Sequence, residues 1–240
     1  MRRSLPSLLI AILVAGCGGS GGEPAILSTV ECVRGPTSFA PEIWESRIEE
    51  YEAADLDAPP VPGSIVFTGS SSILRWETLE EDLAPMPVLN RGFGGSVVSQ
   101  VSHFADRIVL SYEPSAIVLY AGDNDIAFGS SADCVFVDFE AFVDRIRESI
   151  EDTPIYYISI KPSPARSALW AEMQRANELI RARTTTRETL HFIDVSQAML
   201  DEQGDPIKTL YVEDGLHLSP AGYGLWTTIV RPRLAADLGF

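Results

Sequence analysis

Two kinds of segment alternate along the chain: short apolar runs, and longer stretches in which apolar residues recur at helical spacing. Apolar runs rich in branched and aromatic side chains predict buried strands. They lie at Ile65–Thr68, Pro87–Asn90, Ala116–Tyr120, Ile155–Ile160 and Leu190–Val195. The helical spacing predicts helices at Glu42–Tyr51, Ile73–Leu79, Ser96–Leu110, Asp138–Glu151, Arg166–Arg183 and Pro220–Leu238.

This alternation predicts an α/β fold. Strands of near-continuous apolar type, separated by amphipathic helices, favour a parallel sheet that is covered on both faces. Right-handed crossovers then give a three-layer α/β/α sandwich, with a flavodoxin-like, doubly wound sheet of about five strands. No repeat or linker divides the chain, so we expect one domain over residues 41–240. Ligands of such a sheet bind beyond the carboxyl ends of its strands.

The composition and charge of the chain argue against some classes of binding partner. The chain has 240 residues, of which 45% are hydrophobic and 22% charged, which is typical of a domain with a substantial core. Its formal net charge is −16. Because such a surface repels phosphate groups, nucleic acid is not expected as a partner, and anionic lipid headgroups would not attract the protein.

The amino terminus has the pattern of an export signal over residues 1–16. Arg2 and Arg3 precede the apolar stretch Leu8–Ala15, which is too short to span a membrane. The run Leu13–Cys17 resembles a bacterial lipobox, which implies cleavage before Cys17 and attachment of lipid to it. The alternative is plain secretion without lipid.

Residues 17–40 would then be the lipidated cysteine, a flexible tether rich in glycine and serine, and an irregular lead-in to the domain. Glycine after the lipidated cysteine indicates the outer membrane under the sorting rules of Gram-negative bacteria, with the domain facing the periplasm or the cell surface. An oxidising compartment would also permit a disulfide between Cys32 and Cys134. The sequence leaves open whether they pair.

The loop after the first strand carries a candidate nucleophile. Gly69 and three serines end the strand, and a helix follows. A serine at such a junction directs its hydroxyl into the crevice at the carboxyl end of the sheet, near the positive end of a helix dipole. The alternative interpretation is an ordinary polar turn.

The next two strand ends could supply hydrogen-bond donors. Gly92, Gly94 and Gly95 expose backbone N–H groups at a helix start, where they could meet an oxyanion. Asn124, in a Gly-Asp-Asn-Asp turn, could add its side-chain amide. Each stretch also fits a simple tight turn. The glycine spacing does not match a dinucleotide fingerprint, and no Walker lysine follows.

Near the carboxyl terminus, Asp214 precedes His217 by three residues. That spacing lets the carboxylate bind one imidazole nitrogen while the other faces a nucleophile. The remaining histidines, His103 in a helical pattern and His191 in an apolar strand, are interpreted as packing or surface residues.

Together, Gly-x-Ser, the later glycine, Gly-x-Asn-Asp and Asp-x-x-His resemble the blocks of the SGNH hydrolases, also called GDSL esterases and lipases. Their spacing is most similar to that of the small enzymes like platelet-activating-factor acetylhydrolase. The resemblance implies the nucleophile Ser71, the acid Asp214 and the base His217, with an oxyanion hole formed by Ser71, Gly95 and Asn124. The family's aspartate before the nucleophile is Ser70 here, which makes Ser70 and Ser72 rival nucleophiles.

The resemblance implies an exported serine esterase that needs no metal or organic cofactor. The loop after the fourth strand is expected to border the pocket, where Lys161 or Arg166 would face a polar or anionic leaving group; the alternative is a surface salt bridge for either side chain. Phe93 is expected to line the same pocket. Because nothing resembles a long apolar lid, we expect a short acyl group on a small alcohol or a glycan. An acyltransferase and a catalytically silent binding module remain as alternatives, and the sequence does not indicate an oligomeric state.

Overall fold

The structure is a computed structural model that describes residues 32–34 and 40–240. At its centre lies a parallel sheet of five strands in the order β2-β1-β3-β4-β5. The strands are β1 (Ile65–Gly69), β2 (Val88–Gly92), β3 (Ala116–Tyr120), β4 (Ile155–Ile158) and β5 (Leu190–Ile193). This is the flavodoxin-like, doubly wound order that the sequence predicted, so the fold class is confirmed.

Helices cover both faces of the sheet. The α-helices are α1 (Glu45–Asp57), α2 (Ser71–Leu74), α3 (Leu79–Leu83), α4 (Val98–His103), α5 (Ala105–Ile108), α6 (Asp123–Ala127), α7 (Ala132–Arg147), α8 (Trp170–Thr184) and α9 (Pro220–Leu238). Short 3-10 helices lie at Pro41–Trp44, Leu110–Tyr112, Pro164–Leu169, Gln197–Met199 and Lys208–Leu210. Within the described ranges, no helix is long and apolar enough to cross a membrane.

Two hydrophobic cores result, one on each face, because successive strand residues point to opposite sides. Val66 packs with side chains of α1, α4, α5, α7 and α8. Its neighbours Ile65 and Phe67 pack with α2, α3 and α9 on the other face. All of β1 and β3 is buried, as expected for central strands of a covered parallel sheet.

Several predicted helix boundaries need correction. Helices α1 and α8 run over Glu45–Asp57 and Trp170–Thr184 instead of Glu42–Tyr51 and Arg166–Arg183. Helix α7 begins at Ala132 instead of Asp138, because the hydroxyl of Ser131 caps it by accepting a hydrogen bond from the Cys134 N–H at 3.3 Å. The segment predicted as one helix from Ser96 to Leu110 is divided into α4 and α5. The short helix predicted after β1 begins earlier, at Ser71, and α3 follows as a separate helix.

The strand order places the reversal of winding between β1 and β3. Gly69, at the end of β1, is flanked in register by Gly92 of β2 and Tyr120 of β3. The loops after these three strands therefore meet at one edge of the sheet, where a doubly wound fold forms its crevice.

Candidate active site

Ser71 is the first residue of α2, directly beyond the turn that ends β1. Gly69 makes this turn with φ +128°, and a Cβ atom there would lie 1.9 Å from the carbonyl oxygen of Tyr120. Only glycine fits such a close approach. The N–H groups of the first helical turn have no partner within the helix, so the Ser71 N–H is available to an incoming oxygen.

The two neighbouring serines are placed differently. Ser70 is fully buried, and its Oγ has no hydrogen-bond partner among the described residues. Ser72 is also buried, while Ser71 remains partly exposed. Of the three, Ser71 is the serine whose hydroxyl meets His217, so the geometry disfavours both rivals.

Asp214, His217 and Ser71 form a continuous hydrogen-bonded chain. The Asp214 Oδ2 atom lies 2.6 Å from His217 Nδ1, and His217 Nε2 lies 3.0 Å from Ser71 Oγ. The other oxygen of Asp214 accepts the backbone N–H groups of Leu216 and His217 at 2.8 and 2.9 Å. This arrangement fixes the imidazole with one nitrogen toward the serine.

The charge on Asp214 is stabilised by these contacts. Burial by itself raises the pKa of this carboxyl, but the hydrogen bonds from the His217 ring and from two backbone N–H groups bring the pKa well below its ordinary value. Asp214 therefore stays ionised and can stabilise an imidazolium on His217.

Short backbone contacts close the loop that carries this pair. Tyr211 and Leu218 form an antiparallel bridge, and the Val212 N–H donates to the His217 carbonyl at 2.9 Å. Ser219 then caps α9, with its hydroxyl accepting the Gly222 N–H at 3.3 Å. The acid and the base are thus held on a compact turn between β5 and the last helix.

The glycine loop (residues 92–98) lies next to Ser71, and Asn124 contacts this loop. A Cβ atom on Gly94 would be 3.9 Å from the Ser71 Cβ, and Gly95 adopts φ +79°. The Asn124 amide donates to the Ser96 carbonyl at 3.0 Å, which joins this side chain to the same loop. Asn124 lies in the short helix α6, whereas the sequence predicted a turn.

Asp125 supports this region, although the sequence pattern did not mark it as a site residue. Its carboxylate accepts the Val98 N–H at the start of α4, at 3.2 and 3.4 Å. Burial, together with the nearby charge of Asp138, raises the pKa of Asp125 to about 7. The acidic residue after Asn124 was visible in the sequence, but nothing there indicated that it would be buried against the glycine loop.

Three residues were predicted to line the pocket, and they differ in how far they are buried. Phe93 is fully buried and packs edge-on against the rings of Trp44 and Phe104, so it belongs to the core. Lys161 is 2% exposed, and its Nζ contacts the Tyr120 hydroxyl at 3.2 Å. Burial lowers the pKa of Lys161. Arg166 is partly exposed but is bound to neighbouring side chains.

The other candidate residues lie apart from this chain of contacts. His191 stacks on Tyr156 with ring centroids 4.5 Å apart, and His103 is exposed beside Phe104. Cys32 and Cys134, whose pairing the sequence left open, are joined by a disulfide. Cys17 and the predicted export signal lie outside the described residues.

The chain is similar to several known proteins. The model of the GDSL-like Lipase/Acylhydrolase family matches residues 63–225. The chain is similar to platelet-activating factor acetylhydrolase IB subunit alpha1 of Pongo abelii, with 27% identity over 185 residues that cover 75% of this chain and 78% of that protein.

Solved structures show the same fold at low sequence identity. A GDSL-like lipase from Bacteroides thetaiotaomicron VPI-5482 superposes with a TM-score of 0.67 at 20% identity, covering 80% of this chain and 98% of that chain. The family 3 carbohydrate esterase of Clostridium thermocellum superposes with a TM-score of 0.58 at 15% identity, covering 73% of this chain and 98% of that chain.

Proposed function

The chain belongs to the GDSL-like lipase/acylhydrolase family and is an ester hydrolase, and from that premise we propose that it is a serine esterase acting through an acyl-enzyme on Ser71. The observation that carries the proposal is the hydrogen-bonded chain from Asp214 through His217 to Ser71, with contacts of 2.6 and 3.0 Å. An acid, a base and a nucleophile in this order are the requirements for acyl transfer to serine.

In the proposed reaction, His217 Nε2 takes the proton of Ser71 Oγ as this oxygen attacks the ester carbonyl carbon. The carbonyl oxygen becomes negative and accepts hydrogen bonds from the N–H groups of Ser71 and Gly95 and from the Asn124 amide. The alcohol leaves with the proton from His217. Water, deprotonated by the same imidazole, then attacks the acyl-enzyme and releases the acid.

We propose a short acyl group, such as acetyl. Two features support this proposal. Phe93, which was expected to line the pocket, is packed in the core and is not available to contact a long acyl chain. A similar protein is named an acetylhydrolase. The alcohol part would be a small molecule or a glycan, and the fold shared with a carbohydrate esterase is compatible with the latter.

The test is pre-steady-state hydrolysis of p-nitrophenyl acetate, butyrate and octanoate by the purified protein and by Ser71→Ala and His217→Ala. We expect a burst with the short esters that both substitutions abolish, with turnover falling by several orders of magnitude. Ser72→Ala serves as the control for the neighbouring serine and should retain turnover. Full activity of Ser71→Ala would refute the assignment of the nucleophile.

Two further outcomes separate the alternatives. A folded protein that is inert on all three esters would favour a silent binding module. Product analysis with an added acceptor alcohol would reveal an acyltransferase as a new ester at the expense of free acid.

We also propose that the protein is exported and anchored through lipid on Cys17. The basic start, the short apolar stretch and the lipobox-like run support the proposal, and a disulfide between Cys32 and Cys134 is compatible with an oxidising compartment. Labelling of a bacterial host with radioactive palmitate should mark the protein, and Cys17→Ser should abolish both the label and its recovery in the membrane fraction. Labelling of the Cys17→Ser protein would contradict lipidation at this residue.

A further inference from the structure

A cluster of charged side chains lies behind the asparagine of the proposed oxyanion hole. Asp123, which directly precedes Asn124, forms an ion pair with Arg166 Nη1 at 3.0 Å and faces Lys161 Nζ at 3.5 Å. The side chains of Asp123 and Lys161 are 6% and 1% exposed, and that of Arg166 is 15% exposed. Burying such charges costs free energy, so we expect the cluster to have a structural or functional role.

Arg166 also binds Asn124 directly. Its Nη2 atom donates to Asn124 Oδ1 at 2.8 Å, while Asn124 Nδ2 donates to the Ser96 carbonyl at 3.0 Å. A guanidinium can only donate and a carbonyl can only accept, so these two contacts allow a single orientation of the amide. In that orientation one N–H of Nδ2 is bound to Ser96, and the other remains for an oxyanion.

The contact has an electronic consequence as well. A cation that donates to an amide oxygen polarises the amide, and this strengthens the N–H groups on its other side as donors. Donors that are fixed before the reaction stabilise a developing oxyanion without reorganisation. Arg166 can thus act on the transition state through Asn124 without touching the substrate.

The segment that carries Arg166 also contacts the turn that holds Asp214 and His217. The Ala165 N–H donates to the Gly215 carbonyl at 3.0 Å, and the Tyr211 hydroxyl donates to the Pro162 carbonyl at 2.6 Å. Gly215 lies between Asp214 and His217 in the chain. One loop after β4 therefore connects the proposed oxyanion asparagine to the acid–base turn.

We propose that Arg166, held by Asp123, is a positioning residue that orients and polarises the Asn124 amide for the oxyanion. This inference rests on the proposed function and deepens it. It replaces the expectation that Arg166 contacts a leaving group. Lys161 supports the arrangement from behind by sharing the Asp123 carboxylate.

A double-mutant cycle tests the proposal. Steady-state and burst kinetics on p-nitrophenyl acetate are measured for the wild type, Arg166→Met, Asn124→Ala and the double variant. Arg166→Met should lower kcat about tenfold or more, short of the 10²–10³-fold loss that removing an oxyanion donor causes, and should change KM by less than about threefold. In the Asn124→Ala background, the same substitution should change kcat by less than about threefold, because its target is gone.

Two further variants serve as controls, one for the loss of a surface arginine and one for a failure to fold. Arg175→Met, which removes an exposed arginine paired with Asp133, should leave kcat within about twofold of the wild type. If thermal unfolding shows that Arg166→Met is not folded, Arg166→Lys replaces it. Lysine keeps the charge beside Asp123 but lacks the fork that reaches both Asp123 and Asn124.

The outcomes are distinct. Equal losses from Arg166→Met in both backgrounds, or a raised KM with unchanged kcat, would overturn the positioning role and indicate a structural or a substrate-binding arginine. Ser71→Ala, assayed in parallel, tests the proposed function by itself. If Ser71→Ala retains turnover, the proposed function fails. If it loses turnover while the effects of Arg166 and Asn124 add, only the present inference fails.

Discussion

Asp125 is a fully buried carboxyl, and its ionisation links stability to pH. Burial and the charge of Asp138 raise its pKa to about 7 in the folded protein, against 3.8 for the ordinary residue. Between these two values the folded state binds more protons than the unfolded state. The free energy of unfolding therefore falls as the pH rises through this window, and the contribution of protonated Asp125 is lost above about pH 7.

Asp125→Asn removes this titration while keeping an oxygen that can accept the Val98 N–H. We expect the variant to lose less stability than the wild type when the pH is raised from about 5 to 8. Urea unfolding at several pH values measures the difference. Asp144→Asn, on the exposed face of α7, is the matched control and should keep the wild-type profile. Identical profiles for the wild type and Asp125→Asn would contradict a raised pKa.

Gly95 is restricted by its backbone conformation and not by the space around it. Its φ of +79° disfavours any other residue, yet a Cβ atom would meet only the Trp44 ring at 3.6 Å, an ordinary contact. Gly95→Ala should therefore fold, cost about 1–2 kcal/mol of stability and, by turning the residue 95 N–H, lower kcat at least tenfold.

Gly204 provides the matched control for this substitution. It has φ +83° and open space around it, in a turn between β5 and the acid–base loop. Gly204→Ala should show a similar loss in urea unfolding with unchanged kcat. If both alanine variants keep wild-type kcat, the N–H of Gly95 has no part in the oxyanion hole.

Single residues also show what the sequence could and could not predict. Asp214 and His217 are close in the chain, so their contact follows from spacing and loop chemistry. The burial of Lys161 could not be predicted, because lysine is nearly always a surface residue and its partner Asp123 lies at the start of α6, after a different strand. The pairing depends on the sheet order, which single residues do not carry.

At the scale of elements, long periodic segments were predictable and short ones were not. Helix α9 runs from Pro220 to Leu238, as predicted. Helix α6 has five residues, too few for a hydrophobic period, and its Gly-Asp-Asn-Asp start is typical of a turn. The tertiary contacts of Asn124 and Asp125 with the glycine loop, and not local propensity, account for this helix.

Helix α9 supports the nucleophile helix from one face of the sheet. Trp226 is fully buried and meets the rings of Trp76 and Tyr120, with centroids 5.9 and 5.1 Å away. One turn earlier, the Tyr223 hydroxyl donates to the Ser72 carbonyl at 3.1 Å. The packing of α9 therefore determines how firmly α2 is held.

Trp226→Ala should lower the free energy of unfolding by about 3–5 kcal/mol, because it leaves a cavity between Trp76 and Tyr120. Urea unfolding gives the value. Phe240→Ala, which removes a large side chain just beyond the same helix that is 55% exposed, should change stability by no more than about 0.5 kcal/mol. A comparable loss from the two variants would show that α9 is not anchored through Trp226.

At the scale of the whole molecule, the alternation of strands and helices predicted the sheet and the edge at which the site lies. It did not predict the junction of residues 32–34 with α7. Cys32 and Cys134 are 102 residues apart, and Arg34 binds Asp138 through both carboxylate oxygens at 2.6 and 2.7 Å. No periodicity links such distant positions, so the sequence alone left the pairing undecided.

This junction closes a long loop covalently, which restricts the unfolded chain more than the folded one. Reduction of the disulfide should therefore lower the free energy of unfolding by about 2–4 kcal/mol. Urea unfolding with and without dithiothreitol measures the loss, and the double variant Cys32→Ser with Cys134→Ala should be insensitive to the reductant.

Arg34→Met, with the disulfide intact, isolates the ion pair and should cost less than about 1 kcal/mol, because Arg34 is half exposed. A wild-type midpoint that does not move on complete reduction would mean that the covalent link adds nothing to the contacts around it. A large loss in Arg34→Met alone would assign the stabilisation to the ion pair instead.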